Sequence, residues 1–219
     1  MSRALTLRPT PIPIEMLNEK NILEAVGILA DRDPALASIV QRYGAPPLWF
    51  RLPGFATLIL IILEQQVSLP SARAAYIRLE KSLGEITPTS FVKLNDAELK
   101  IIGFSRQKTG YGRQLANGIL DGSVDLEALE RFPDEGARTQ LMAIKGIGRW
   151  SADIYLIMAL RRPDVWPHGD LALIKTVSRI KGLERPPSGQ EWDALGEAWR
   201  PWRSVAARLA WFEYLGGKA

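Results

Sequence analysis

The segment Leu141-Met-Ala-Ile-Lys-Gly-Ile-Gly-Arg-Trp-Ser-Ala-Asp153 constrains this chain more than any other. Gly146 and Gly148 stand one residue apart, with apolar residues before and between them, which suits a tight backbone hairpin joining two helices. Glycine takes positive φ, or lets another backbone come close, at little steric cost. After Gly148 the pattern turns helical again, so the unpaired N–H groups of a new first turn point out of the hairpin. Flanked by Lys145 and Arg149, such a helix start makes an anion site, and a nucleic-acid phosphate is the anion that suits it best. A phosphate grip of this kind fixes register on DNA and reads no sequence. An ordinary helix C-cap and turn would use the same residues, so the two glycines alone decide nothing.

Helical periodicity runs through most of the rest. Residues 18–31 repeat with Ile22, Leu23, Val26 and Leu29 on one face, and Pro34 opens a second helix to Tyr43. Pro53 opens an apolar helix through Val67, followed by one from Ser71 to Leu83 that Gly84 ends. Asn95-Asp-Ala-Glu98 reads as a capping box ahead of a short helix closed by Gly103. Arg106 to Leu120 is amphipathic, with Tyr111, Leu115 and Ile119 on one stripe. Helices over 125–131, 134–144, 150–160 and 171–180 follow, then one capped by Ser188 and a last one opened by Pro201 and ending near Gly216. Only residues 4–14 could be extended, and their prolines favour an edge or a coil. The expected fold is all-α, with the helix-hairpin-helix at residues 136–160.

Composition narrows the chemistry. The 219 residues can bury a substantial core as one domain or two small lobes. With no cysteine there is no disulfide framework, no Cys-based zinc site and no Cys-ligated iron–sulfur cluster. The single histidine, His168, excludes a histidine-rich metal site. A net charge of +4 leans only mildly toward polyanions. The most apolar run, residues 55–63, is too short to cross a bilayer as a helix, and no secretory pattern opens the chain. An intracellular protein with no membrane partner is the expectation.

Beyond the hairpin, Trp166-Pro-His-Gly-Asp-Leu-Ala-Leu-Ile-Lys175 sets an acid after a short polar turn, at the start of a new apolar run. With Ile144-Lys-Gly-Ile-Gly-Arg-Trp-Ser-Ala152, Pro201-Trp-Arg-Ser204, Gln65-Gln-Val-Ser68 and Gly103-Phe-Ser-Arg-Gln-Lys108, it resembles the helix-hairpin-helix DNA glycosylase superfamily. Within that superfamily it is most similar to the alkylation-repair branch, 3-methyladenine DNA glycosylase II. The likeness runs in consistent order over residues 50–215. It implies two helical lobes flanking a cleft. Residues 55–165 would make one lobe, ending in the hairpin. The N-terminal segment 1–54 would pack with the C-terminal helices, 166–219, to complete the other.

The resemblance makes Asp170 the catalytic acid. Breaking an N-glycosidic bond builds positive charge on the sugar, and a fixed carboxylate stabilises it and can orient the attacking water. Aspartate is also a favoured N-cap, and the two roles are compatible. Lyase-competent members carry a lysine two residues after the second hairpin glycine, where this chain has Trp150. Tryptophan cannot form an imine, so the implied activity is monofunctional and leaves an abasic site in an intact strand. A base must leave the helix to be cut, and indole faces favour a cationic alkylpurine. Trp150 and Trp211 would line that pocket, with Tyr155 a weaker candidate one residue beyond the family's aromatic position, which Ile154 holds. Trp192, Trp199 and Trp202 read as packing residues instead.

By the same likeness Gln66 fills the space the base leaves, with Gln65 a near competitor. Lys145, Gly146, Gly148, Arg149, Arg106 and Lys108 would contact phosphate. His168 would touch the sugar or pack in its turn. The implied partner is double-stranded DNA containing damaged bases, met by a monomer. No cofactor is called for, although the hairpin carbonyls of relatives can hold a monovalent cation. Two alternatives stay open at this point: a non-catalytic DNA-binding module built on the hairpin, or a glycosylase for oxidised or mismatched bases.

Overall fold

The helices of this chain start and stop where side chains can satisfy their free backbone groups. A computed structural model describes residues 15–218, and the reading of residues 4–14 as extended lies outside them. The described residues form twelve α-helices and one short 3-10 helix, with no strand among them. Helices α1 (Asn21–Arg32) and α2 (Pro34–Tyr43) are separated by Asp33, whose carboxylate accepts from the Ala35 N–H at 3.0 Å. Next come α3 (Phe55–Glu64), α4 (Leu69–Leu83), the single turn α5 (Pro88–Phe91), α6 (Asp96–Ile102) and α7 (Arg106–Leu120). The capping box anticipated at Asn95 and Glu98 is formed at the start of α6. A 3-10 helix over Glu127–Arg131 leads to α8 (Asp134–Met142) and α9 (Arg149–Met158), then α10 (Leu171–Ile180), α11 (Gly189–Glu197) and α12 (Arg203–Tyr214).

Several boundaries differ from the sequence pattern. Helix α3 stops at Glu64, not Val67, because Gln65 is extended and Gln66 takes a left-handed φ of 57°. Helix α4 starts earlier, at Leu69, because Ser68 caps it through the Ser71 N–H. The 125–131 segment tightens to a 3-10 turn. The last helix starts at Arg203, so Pro201 lies outside it. Helix α5 was not legible, being one turn held by Thr87 and Ser90 capping each other.

Packing explains why α9 is central. Leu58, Ile59, Ile61 and Ile62 of α3 are wholly buried, and α3 packs on α4, α7 and α9. Helix α9 also packs on α8, while α1, α2, α10 and α12 pack among themselves. The two groups meet at the end of α9. There the Arg51 N–H donates to the Met158 carbonyl at 2.9 Å, and Arg208 Nη2 of α12 donates to the Ile157 carbonyl at 2.8 Å. Arg208 is fully buried with no carboxylate partner among the described residues, and burial pushes its guanidinium down to about 9. Its charge faces the carbonyl end of α9, where a cation is favoured.

The loop between α9 and α10 is held by tryptophans. Trp166 stacks on Trp192 at 4.5 Å and meets the edge of Trp199 at 5.0 Å. Trp166 Nε1 donates to the Trp192 carbonyl, Trp192 Nε1 to the Pro167 carbonyl, and Trp199 Nε1 to Asp33 Oδ2 at 2.7 Å. Trp192 and Trp199 are core residues and Trp202 packs half-buried against that core, as expected. No helix among the described residues is long and apolar enough to cross a membrane.

Candidate active site

The hairpin is the link from α8 to α9. Gly146 sits there at φ +93°, and a Cβ on it would lie 2.2 Å from Cγ of Tyr111. The Tyr111 ring, on α7, therefore rests on the bare backbone of Gly146. Gly148 differs: its φ of −86° suits any residue, and nothing lies within 4 Å of a Cβ built there. The N–H groups of Arg149, Trp150 and Ser151, the first turn of α9, meet no acceptor among the described residues. Open space thus fronts a row of free donors. Lys145 and Arg149 are exposed beside it, Arg149 Nε lying 3.9 Å from Asp153 Oδ2, and Arg106 is exposed at the first position of α7.

Asp170 caps α10 and faces α9 at once. Its Oδ1 accepts from the Leu173 N–H at 2.8 Å, and its Oδ2 accepts from Trp150 Nε1 at 3.0 Å. The residue is only 9% exposed, while its neighbour Leu171 is 81% exposed, so the acid lies just beneath the surface. Sequence reasoning missed what fixes the preceding turn. Asp153, fully buried on α9, receives Arg138 Nε at 2.6 Å and the His168 N–H at 3.3 Å. Burial raises the Asp153 carboxyl, and the Arg138 guanidinium opposes that rise. A lone acid inside the apolar run after Ser151 was the available signal. His168 itself turns to α11, where its Nε2 lies 2.7 Å from Asp193 Oδ1, so it packs in the turn.

The structure separates the aromatic candidates. Trp150 is half-exposed and bonded to Asp170. Trp211 is nearly buried on α12, which packs against α10. Tyr155 does not share their surroundings. It is wholly buried, its hydroxyl accepts from the Gly54 N–H at 2.9 Å, and burial pushes its phenol up to about 12. The expectation that Tyr155 lines a base pocket is corrected: one residue past the Trp150/Ile154 face, it points at the start of α3.

Lys108 is corrected as well. Its ammonium donates to the carbonyls of Leu63 at 2.7 Å and Gln65 at 2.8 Å, closing the C-terminal end of α3, and burial lowers its pKa. It turns inward, with two of its three N–H donors spent on these carbonyls. Gln65 is half-buried and Gln66 is exposed, with Val67 and Leu69 also exposed beyond it. Gln65 Nε2 donates to the Gly146 carbonyl at 2.8 Å and to Ser151 Oγ at 3.0 Å.

Two surface hollows lie away from this constellation. One, of about 680 Å³, is lined by Lys181, Leu183, Arg185, Glu191 and Leu195, at the far end of α10 from Asp170. The other, of about 480 Å³, follows α3 and α4 past Arg51, Phe55, Arg73 and Tyr76. Neither brings together groups suited to the chemistry that Asp170 and Trp150 can perform.

Comparison with known proteins follows the same geography. Residues 59–201 match the family model described as HhH-GPD superfamily base excision DNA repair protein. The chain is 25% identical over 185 residues to YfjP of Bacillus subtilis (strain 168), covering 81% of this chain and 64% of that protein, under two thirds of its length. It is 28% identical over 180 residues to DNA-3-methyladenine glycosylase 1 of Schizosaccharomyces pombe, covering 80% of this chain and 79% of that protein. Among solved structures, it is similar to the S. pombe 3-methyladenine DNA glycosylase (Mag1) in complex with abasic DNA. There the TM-score is 0.80 at 26% identity, over 86% of this chain and 95% of the other.

Proposed function

Because the chain belongs to the HhH-GPD superfamily of base excision DNA repair proteins, we propose that it excises alkylated purines of the 3-methyladenine type from duplex DNA. The observation that carries this reading is the Trp150 Nε1–Asp170 Oδ2 hydrogen bond of 3.0 Å, which joins an aromatic face to a carboxylate beside a hairpin suited to phosphate. The names of its relatives, which include DNA-3-methyladenine glycosylases of fission yeast and of Escherichia coli, support the same substrate class.

In this reading the free amides of Arg149, Trp150 and Ser151, with Lys145 and Arg149, hold the DNA backbone across the gap in front of Gly148. The damaged base turns out of the stack and Gln66, exposed at its loop tip, takes its place. Trp150 and Trp211 supply indole faces, which favour a cationic alkylpurine over a neutral base. As the glycosidic bond breaks, charge builds on the sugar, and the Asp170 carboxylate, held by two N–H donors, stabilises it. Water completes the hydrolysis. With Trp150 where a lyase would need an amine, the product is an abasic site in an unbroken strand. Hairpin, carboxylate and indoles all come from one chain, so this reading needs no second copy.

The test is base release from methylated duplex DNA by wild type and Asp170→Asn, with strand breaks scored before and after alkali. Wild type should release 3-methyladenine, and the variant should be slower by about a hundredfold or more. Breaks should need alkali. Tight DNA binding without release would leave a DNA-binding module, and breaks without alkali would overturn the monofunctional assignment.

A further inference from the structure

We propose that Gln65 is a positioning residue, a strut that ties the loop carrying Gln66 to the hairpin, so that gripping the DNA backbone sets the side chain that replaces the extruded base. The proposal rests on the glycosylase reading above and adds to it a coupling between two of its parts.

The geometry is closed at both ends of Gln65. The Gly146 carbonyl can only accept, so the amide nitrogen of Gln65 faces it, and the second proton of that nitrogen goes to Ser151 Oγ. Gly146 precedes the free first-turn amides of α9, and Ser151 carries the last of them. Ser151 is buried, which fixes the acceptor. On the main-chain side, the Gln65 carbonyl accepts from Lys108 Nζ, and the Lys108 helix, α7, also carries the Tyr111 ring that rests on Gly146. Three segments therefore form one circuit: hairpin, loop and α7. The next residue, Gln66, is exposed and left-handed at φ 57°, a conformation that non-glycine residues hold only when their surroundings impose it. Of two adjacent glutamines with the same chemistry, one spends both amide protons on the hairpin and the other is exposed.

A residue that only stabilised the fold would slow every substrate alike. A strut acts on extrusion, so its loss should matter where extrusion is costly and matter little where the base is already loose. The experiment compares single-turnover release of the same alkylated base from a fully paired duplex and from a bulge in which that base has no partner. Gln65→Met, which keeps length and removes both donors, should slow release about tenfold from the duplex and under about threefold from the bulge. In a Gln66→Ala background the same substitution should add little. Equal loss on both substrates, no loss on either, or full additivity with Gln66→Ala would each overturn the proposal.

Should Gln65→Met fail to fold, Ser151→Ala removes one of the two acceptors and should shift the duplex-to-bulge ratio in the same direction by less. Fluorescence of 2-aminopurine in the duplex reads extrusion without excision. Gln65→Met should reduce its rise on binding, and an unchanged rise would overturn the strut. A wild type that shows the rise but releases no alkylated base from either substrate would instead overturn the glycosylase reading.

Discussion

The Tyr111 ring occupies the space that a side chain on Gly146 would need. A Cβ there would fall 2.2 Å from Tyr111 Cγ and 2.5 Å from Cδ2. Two residues on, Gly148 has neither a positive φ nor a neighbour in its way. The two glycines of the hairpin thus answer different demands. Gly146 is required by the protein's own packing, whereas the space at Gly148 faces outward.

Alanine substitution should separate those demands. Gly146→Ala must move Tyr111 and hold alanine at φ +93°, and should cost about 2–4 kcal/mol of stability. Gly148→Ala should leave thermal unfolding within about 0.5 kcal/mol of wild type yet weaken DNA binding, because its methyl group enters the gap in front of the free amides. Denaturant unfolding and DNA titration of both variants check this. Wild-type binding by Gly148→Ala would show that the gap does not receive a phosphate.

Trp150 carries two separable properties, its ring face and its N–H. Trp150→Phe keeps a face and removes the donor to Asp170 Oδ2. Single-turnover release should fall about tenfold or more while affinity for lesion-containing duplex changes by under about threefold. Trp150→Ala should lose both rate and affinity. Full activity in the phenylalanine variant would show that the hydrogen bond to Asp170 contributes nothing to the reaction.

The salt dependence of binding should distinguish the basic residues. Arg149 and Lys145 are exposed at the hairpin, so Arg149→Ala should reduce the slope of log K against log salt by about one. Lys108→Ala should leave the slope unchanged and instead lower stability, because two carbonyls at the end of α3 lose their donor. A slope change for Lys108→Ala equal to that of Arg149→Ala would show that its ammonium turns outward to DNA.

Asp33 links stability to pH. Burial would raise its carboxyl, but hydrogen bonds from Lys181 at 2.6 Å and Trp199 at 2.7 Å outweigh that and hold it below the usual carboxylate range. A depressed carboxylate contributes stability above its unfolded value, and that contribution is lost as pH falls through the folded one. Asp33→Asn should therefore lose about 1–3 kcal/mol at pH 7 and show a shallower loss of stability on acidification than wild type. Urea unfolding between pH 7 and pH 3 gives the comparison, and parallel curves would show that Asp33 is not coupled to the fold in this way.

What was legible in the sequence had local causes. Pro34 and Gly44 bracket α2, Ser105 caps α7, and Asp170 caps α10, so those three helices fall where the pattern put them. The hairpin and its flanking helices were equally plain. What escaped depends on contacts between distant parts of the chain. Nothing near Lys108 shows that it closes α3, and nothing near Tyr155 shows that Gly54 meets its hydroxyl. The buried Arg138–Asp153 pair and the solitary Arg208 likewise acquire meaning only in three dimensions. Between Gln65 and Gln66 the sequence offers no chemical difference at all, yet Gln65 meets the hairpin while Gln66, with a left-handed backbone angle, is exposed.

Each oxygen of the Asp170 carboxylate already accepts from one N–H group of the protein. An acid wrapped in solvent would have to shed that layer when DNA covers it, and its surroundings would then rearrange as the sugar gains charge. Here part of the acid's hydrogen bonding is set in advance by the protein. In the proposed reaction the sugar would therefore gain its charge beside a carboxylate whose N–H partners are already set.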